Sequence, residues 1–267
     1  RKMIAAGAKA TMPPTTITTA PVVAESWEET LTAVGTLEAV QGVIVAAEQP
    51  GKVVRILFEA GAAVRRGDLL VEQDKSAEEA QLRALQTSRA LAKTNLDRMA
   101  QLVAKGFIAK ADYDNAEASF KEAAAQEDNI RAAIAKKTIR APFAGRLGIR
   151  MVNLGQILRE GDAIVSLQVL APIFVNFQLP QEKLPLVKTG LAVGLGGDGL
   201  GQEQPTGEIT TISPEIDPVT RNIRLQATAA NTGELLRPGM FVTVAVVLPG
   251  KKDVLTVPAT AVLYAPY

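Results

Sequence analysis

Lys75 stands in the stretch Gly67-Asp68-Leu-Leu-Val-Glu-Gln-Asp74-Lys75-Ser-Ala-Glu-Glu-Ala80. A lysine amine that follows a short strand and an acidic residue can carry an amide-linked cofactor on a flexible arm, so chemistry is first sought here. Such an arm needs an exposed turn of its own. The residues after Lys75 read otherwise: Asp74 or Ser76 can cap a helix, and Ser76-Ala-Glu-Glu79 predicts a capping box. A modified Lys75 stays as an alternative to a lysine that only precedes a helix.

Other chemistry is thinly supplied. The chain has no cysteine and no histidine, which removes thiol nucleophiles, histidine-based triads, the common zinc sites and disulfides. The carboxylates Glu28, Glu29, Asp198 and Glu203 show no convergent spacing for acid/base work. The methionines Met3, Met12, Met99, Met151 and Met240 are scattered rather than clustered as soft metal ligands would be. Residues 195–201 are glycine-rich but lack the Lys-Ser/Thr ending of a phosphate cradle, and read as a surface loop. Asp217 and Arg221 flank Pro218 in a turn, where an ion pair or cap is expected. No catalytic, cofactor-binding or metal-binding residue is assigned, and a non-enzymatic protein is expected.

The 29 Lys and Arg nearly cancel the 28 Asp and Glu, and neither sign forms a block, so no nucleic-acid partner is expected. No run of about 18 apolar residues predicts a membrane span. The start at Arg1-Lys2 without an initiator methionine suggests a trimmed or mature chain whose anchor or signal lies upstream.

At 267 residues the chain can hold two or three small domains; with 47% hydrophobic but only 4% aromatic residues, their cores must be Val, Leu, Ile and Ala. The strongest internal signal is a repeat. Residues 51–71 and 145–165 align without a gap at an offset of 94 residues, and Gly51, Gly61, Gly67 and Asp68 fall on Gly145, Gly155, Gly161 and Asp162. β-Branched runs punctuated by glycine read as short strands joined by tight turns, with glycine supplying positive φ. Two such halves face to face would close a small β-sandwich. This resembles the lipoyl/biotinyl fold with its internal pseudo-twofold. In that fold the second half follows the lysine turn within a few residues, whereas here more than sixty separate Lys75 from Ala141-Pro142, so the scaffold is read as split by an insertion.

The insertion, residues 76–137, contains no proline and one glycine, Gly106, and is rich in helix formers. Leu82, Leu85, Arg89, Ala92, Leu96, Met99 and Val103 fall in 3-4 steps, as do Tyr113, Ala116, Phe120, Ala123, Glu127, Ile130 and Ile134. Folded back antiparallel, facing positions have residue numbers that sum to 215 or 216, and the two charged interruptions, Arg89 and Glu127, then face each other. They are expected to form an ion pair that fixes register more than it adds stability. About 28 residues per arm give a rod on the order of 40 Å long, with Phe107 and Ile108 beside its turn. A helical pair lying flat on the body is the alternative.

Residues 169 to about 250 read as strand-like throughout: Ile173–Leu179, Gly207–Ile212, Arg221–Thr228 and Met240–Val247 are bounded by turn residues. Four or five strands suit a closed barrel, which leaves no exposed edge. Thr15–Ala20 and Val254–Leu263 also read as strands.

Taken together, the chain resembles the periplasmic adaptors, or membrane fusion proteins, of tripartite efflux pumps that serve resistance-nodulation-division (RND) transporters. The resemblance rests on Thr32-Ala-Val-Gly-Thr-Leu37, Ile139-Arg-Ala-Pro-Phe-Ala-Gly-Arg-Leu-Gly148, Ile216-Asp-Pro-Val-Thr-Arg221 and Leu236-Arg-Pro-Gly-Met-Phe-Val242, in that order along nearly the whole chain. It implies a mixed, mainly β protein, elongated and multi-domain, with a long antiparallel α-helical coiled-coil hairpin. The expected parts are a partial membrane-proximal β domain (1–24 and 251–267), a β-barrel (25–42 and 169–250), a split lipoyl-like β-sandwich (43–75 and 138–168) and the hairpin (76–137). The implied partners are an inner-membrane RND transporter, an outer-membrane channel and further copies of the chain in a ring such as a hexamer. The implied location is the periplasm of a Gram-negative bacterium, anchored to the inner membrane, and the implied cargo is drugs or other small molecules. In the family, an Arg, a Leu four later and a Ser seven after that contact the channel from the hairpin tip. Arg98 and Leu102 match, Gly106 shapes the turn, and the serine position is Ala109, which leaves the polar contact without its hydroxyl. An adaptor of a metal-ion pump and a lipoyl or biotinyl carrier modified at Lys75 are the alternatives.

Overall fold

The computed structural model describes residues 21–197 and 205–258. Thr15–Ala20, Asp198, Glu203, most of the glycine-rich loop and residues 259–263 lie outside them. The elements in chain order are β1 (Val23–Ala39), β2 (Gly42–Ala46), β3 (Gly51–Ile56), β4 (Ala63–Val64), β5 (Leu69–Gln73), α1 (Ser76–Ala104), α2 (Lys110–Lys136), β6 (Thr138–Arg140), β7 (Gly145–Arg150), β8 (Ile157–Leu158), β9 (Ala163–Gln168), β10 (Ile173–Pro180), a 3₁₀ helix (Gln181–Leu186), β11 (Ala192–Gly196), β12 (Thr206–Ile216), β13 (Asn222–Ala229) and β14 (Phe241–Thr256).

The repeat produces two four-stranded sheets, ordered β2-β9-β7-β4 and β6-β5-β3-β8. Each mixes strands from both halves. Shifting the first order by the repeat offset turns it into the second, so the pseudo-twofold exchanges the sheets. Hydrogen bonds repeat with it. Gly67 N–H donates to Ala141 O and Gly161 N–H to Ala47 O, both at 2.8 Å. Arg65 N–H meets Asp68 Oδ2 at 2.8 Å and Arg159 N–H meets Asp162 Oδ2 at 2.7 Å. Gly67 and Gly161 sit at φ +88° and +87°, a left-handed turn that any Cβ would strain. Gly51 and Gly145 depart from the expectation of positive φ. Gly145 is needed for close approach, since a Cβ there would lie 2.5 Å from Gln168 O. Between the sheets Val53, Leu70, Val71, Leu158, Ile164, Val165 and Leu167 are fully buried.

The barrel closes in the order β1-β10-β13-β12-β11-β14, with β14 returning to β1. Alternation places Ile173, Val175, Phe177 and Leu179 of β10 and Ile223, Leu225, Ala227 and Ala229 of β13 inside. Three expectations need correction here. Residues 169–250 are not strand-like throughout, because Gln181–Leu186 forms a 3₁₀ helix. Leu195 and Gly196 belong to β11 rather than to a surface loop, and Leu195 is buried in the barrel core. The boundaries at 24/25 and 250/251 fall inside elements: β14 runs on through Pro249 and Gly250, and its end pairs with the start of β1, Val23 opposite Thr256.

Candidate partner-docking site on the helix pair

α1 and α2 leave from β5 and β6, which are hydrogen-bonded neighbours. The helix start departs from the capping box. The N-cap is Lys75, whose side chain caps nothing. Asp74 Oδ1 accepts the Ser76 N–H at 3.0 Å, and this bond holds its carboxyl below the usual range. Glu79 turns its carboxylate to Lys75 Nζ, 3.7 Å away. Lys75 therefore sits at a strand–helix junction between Glu72 and Glu79, where no freely projecting turn exists. Across the base, Lys137 Nζ lies 2.5 Å from Glu78 and donates to Asp74 O at 3.0 Å; the Lys137 contact pulls the Glu78 carboxyl down.

Farther out, Arg89 Nη1 donates to Glu127 Oε2 at 2.9 Å, joining the two helices at the expected position. Arg131 binds the other carboxylate oxygen, a partner that the seam pattern omits because it lies one turn along on the same helix. Arg89 first, then Arg131, hold the Glu127 carboxyl below the usual glutamate range. Arg89 also lies over the Phe120 ring, 5.7 Å from its centroid. The seam residues are the shielded ones: Ala116, Ala123 and Glu127 are buried and the others half-buried. No residue of α1 is buried, so the faces turned away from the seam meet solvent, and the pair does not lie flat on the body.

The tip is closed by a Schellman turn. Gly106, at φ +74°, donates to Val103 O at 3.0 Å, and Phe107 N–H donates to Leu102 O at 3.0 Å. Arg98 and Leu102 are one turn apart on α1, the first exposed and the second half-buried. Ala109 is the N-cap of α2 in extended conformation, so the hydroxyl missing here is also a missing helix cap. Phe107, 72% exposed, stands beside them as a large apolar group with no partner in the fold. In the turn after β12, Asp217 acts as a cap rather than an ion-pair partner of Arg221. Its carboxylate accepts Val219 N–H at 2.8 Å and Thr220 N–H at 3.0 Å, and these bonds keep its carboxyl low. Among the described residues, no group of three or more His, Cys, Asp or Glu is placed to hold a metal ion, and no helix is long and apolar enough to cross a membrane.

Two family models match this architecture: one described as the RND membrane fusion protein barrel-sandwich hybrid domain over residues 41–170, the other as a CusB-like β-barrel domain over residues 172–249. The chain belongs to the RND membrane fusion proteins. Among curated relatives, this fusion protein is 30% identical over 252 residues to an uncharacterized protein of Haemophilus influenzae, covering 94% of this chain and 66% of the relative. It is 28% identical over 253 residues to the multidrug resistance protein MdtA of Klebsiella pneumoniae, covering 86% and 61%. The fusion protein thus spans less than two thirds of these relatives' length. In fold it is similar to a MacA-MexA chimera that carries the Pseudomonas aeruginosa MexA α-hairpin, with a TM-score of 0.76, 22% identity, and 89% and 87% of the two chains covered.

Proposed function

We propose that this fusion protein is a non-enzymatic periplasmic adaptor, held at the inner membrane of a Gram-negative bacterium, that links an RND transporter to an outer-membrane channel and assembles with its own copies into a ring. The observation that carries this reading is the helix pair inserted between the two interleaved halves. The pair acts as a coiled-coil hairpin arm: it buries almost nothing except its own seam, so its reach serves a partner and not the fold. Arg98, Leu102, Gly106 and Ala109 form the channel-facing tip, with Phe107 as its apolar contact. The parts of the elongated molecule are the hairpin 76–137, the split sandwich 43–75 and 138–168, the barrel, whose β1 and β14 run on past the boundaries expected at 24/25 and 250/251, and a membrane-proximal part at the two ends. Cargo of the drug class is supported by the relative named for multidrug resistance. The chemistry of export belongs to the transporter.

Arg98→Asp tests the reading by co-purification with the outer-membrane channel. A loss of at least tenfold in captured channel, with helix content unchanged, is expected. Undiminished capture by a folded Arg98→Asp variant and by a variant lacking the tip residues 105–109 overturns the bridging role.

A further inference from the structure

The sandwich and the barrel keep separate apolar cores and are joined by two short connections, residues 40–41 and 169–172. Val169 N–H donates to Gln41 O at 2.8 Å and ties these connections side by side. Two adjacent connections fix a pivot but not an angle. One ion pair crosses from body to body: Arg146 Nε, on β7 of the sandwich, meets Glu234 Oε2 in the loop between β13 and β14 of the barrel. Among the described residues no other ion pair joins the two. Beside it lies a cavity of about 160 Å³ lined by Arg146, Gly148, Ser166, Gln168, Arg237 and Pro238, so packed apolar surface does not set the angle there.

Both partners are held ready for this contact. Arg146 Nη1 donates to Gly61 O at 2.8 Å within the sandwich. Glu234 sits at φ +50°, a left-handed conformation that costs a residue with a side chain and that glycine adopts freely. Its N–H donates to Asn231 O at 3.0 Å. The buried Asn231 in turn donates through Nδ2 to Leu170 O and Leu236 O, both at 2.8 Å, and accepts Leu236 N–H at 3.1 Å. Leu170 belongs to the second connection, so the loop that carries Glu234 is fastened to the pivot itself. The repeat supplies a control: Arg146 stands where the first half has Lys52, which is exposed and takes part in no ion pair among the described residues. The sandwich fold therefore does not demand a paired cation at this position.

We infer that Arg146 and Glu234 form a latch that sets the angle between sandwich and barrel, and with it the direction in which the helix pair points. The consequence for channel bridging rests on the function proposed above; the latch itself does not.

Because the chain has no cysteine, spin labels at Glu160→Cys and Glu208→Cys, exposed sites on sandwich and barrel, report the angle by double electron–electron resonance. Glu234→Gln and Arg146→Met are each expected to widen the distance distribution at least twofold, while Lys52→Met leaves it unchanged. Glu234→Gly, which relaxes the left-handed turn while removing the carboxylate, is expected to widen it as Glu234→Gln does, separating loss of the latch from damage to the loop. Unchanged thermal midpoints by circular dichroism verify the folds. Distributions of Glu234→Gln and Arg146→Met that match that of the unaltered chain overturn the latch, as does equal widening by Lys52→Met. Channel capture through the tip is scored separately, so failure of the latch and failure of the bridging role are distinguishable.

Discussion

The sandwich and the helix pair are continuous in the chain yet are held together by different means. In the sandwich, fully buried aliphatic side chains lie between sheets that each borrow strands from both halves, so neither half can leave without stripping the other of its hydrogen-bond partners. In the helix pair the buried residues are two alanines and a glutamate. Alanines supply close approach but little apolar area. The carboxylate, held by Arg89 across the pair and by Arg131 on its own helix, supplies register, because a slip of one turn would strip it of its cross-helix partner. Burial secures the body, whereas pairing specifies the arm.

The largest expected effect breaks the body. Leu167→Ala removes a fully buried side chain from between the sheets and is expected to cost about 2–5 kcal/mol. Urea unfolding read on the whole chain checks this, and loss of the arm in the same transition would show that the arm depends on its mount. A smaller effect separates the two regions by pH. The folded-state carboxyl of Glu127 titrates below its ordinary value of 4.5, chiefly through Arg89. Its contribution is therefore fully present above that value and is lost as pH falls through the lower folded value. Amide protection within residues 76–137 is expected to drop by about tenfold more than that of the sandwich between pH 6 and pH 3. Arg89→Leu should remove most of that difference, as followed by hydrogen exchange. The smallest effect is a gain. Ala109→Ser supplies the absent cap of α2 and is expected to stabilise the arm by about 0.5–1 kcal/mol, seen as a higher thermal midpoint of helical signal with the sandwich unchanged.

Much of this contrast can be read from the residues alone. The offset of 94 residues is visible because both halves need glycine where the chain turns left-handed or approaches another strand closely. The arm's register is visible because Arg89 and Glu127 interrupt otherwise apolar seams at facing positions. The exchange of strands between sheets is not visible, since periodicity reports which face a residue turns inward but not which strand lies beside it. The helix start misleads because Ser76 and Glu79 have the capping-box spacing, while Asp74 reaches the first helical N–H earlier in the chain. Leu195 is hidden by the glycines around it: local composition favours a loop, and only closure of the barrel recruits the segment as β11. At the tip, Phe107 carries no periodic signal, and its exposure emerges only once Gly106 has turned the chain.

Because both ends of the arm are mounted on adjacent, paired strands, its length is an independent variable of the architecture. Adding seven residues to α1 and seven to α2 at facing points would preserve every seam contact below the insertion and carry the tip outward by roughly 10 Å, leaving the strands beneath untouched. Reach can thus be adjusted in matched blocks without redesigning the scaffold.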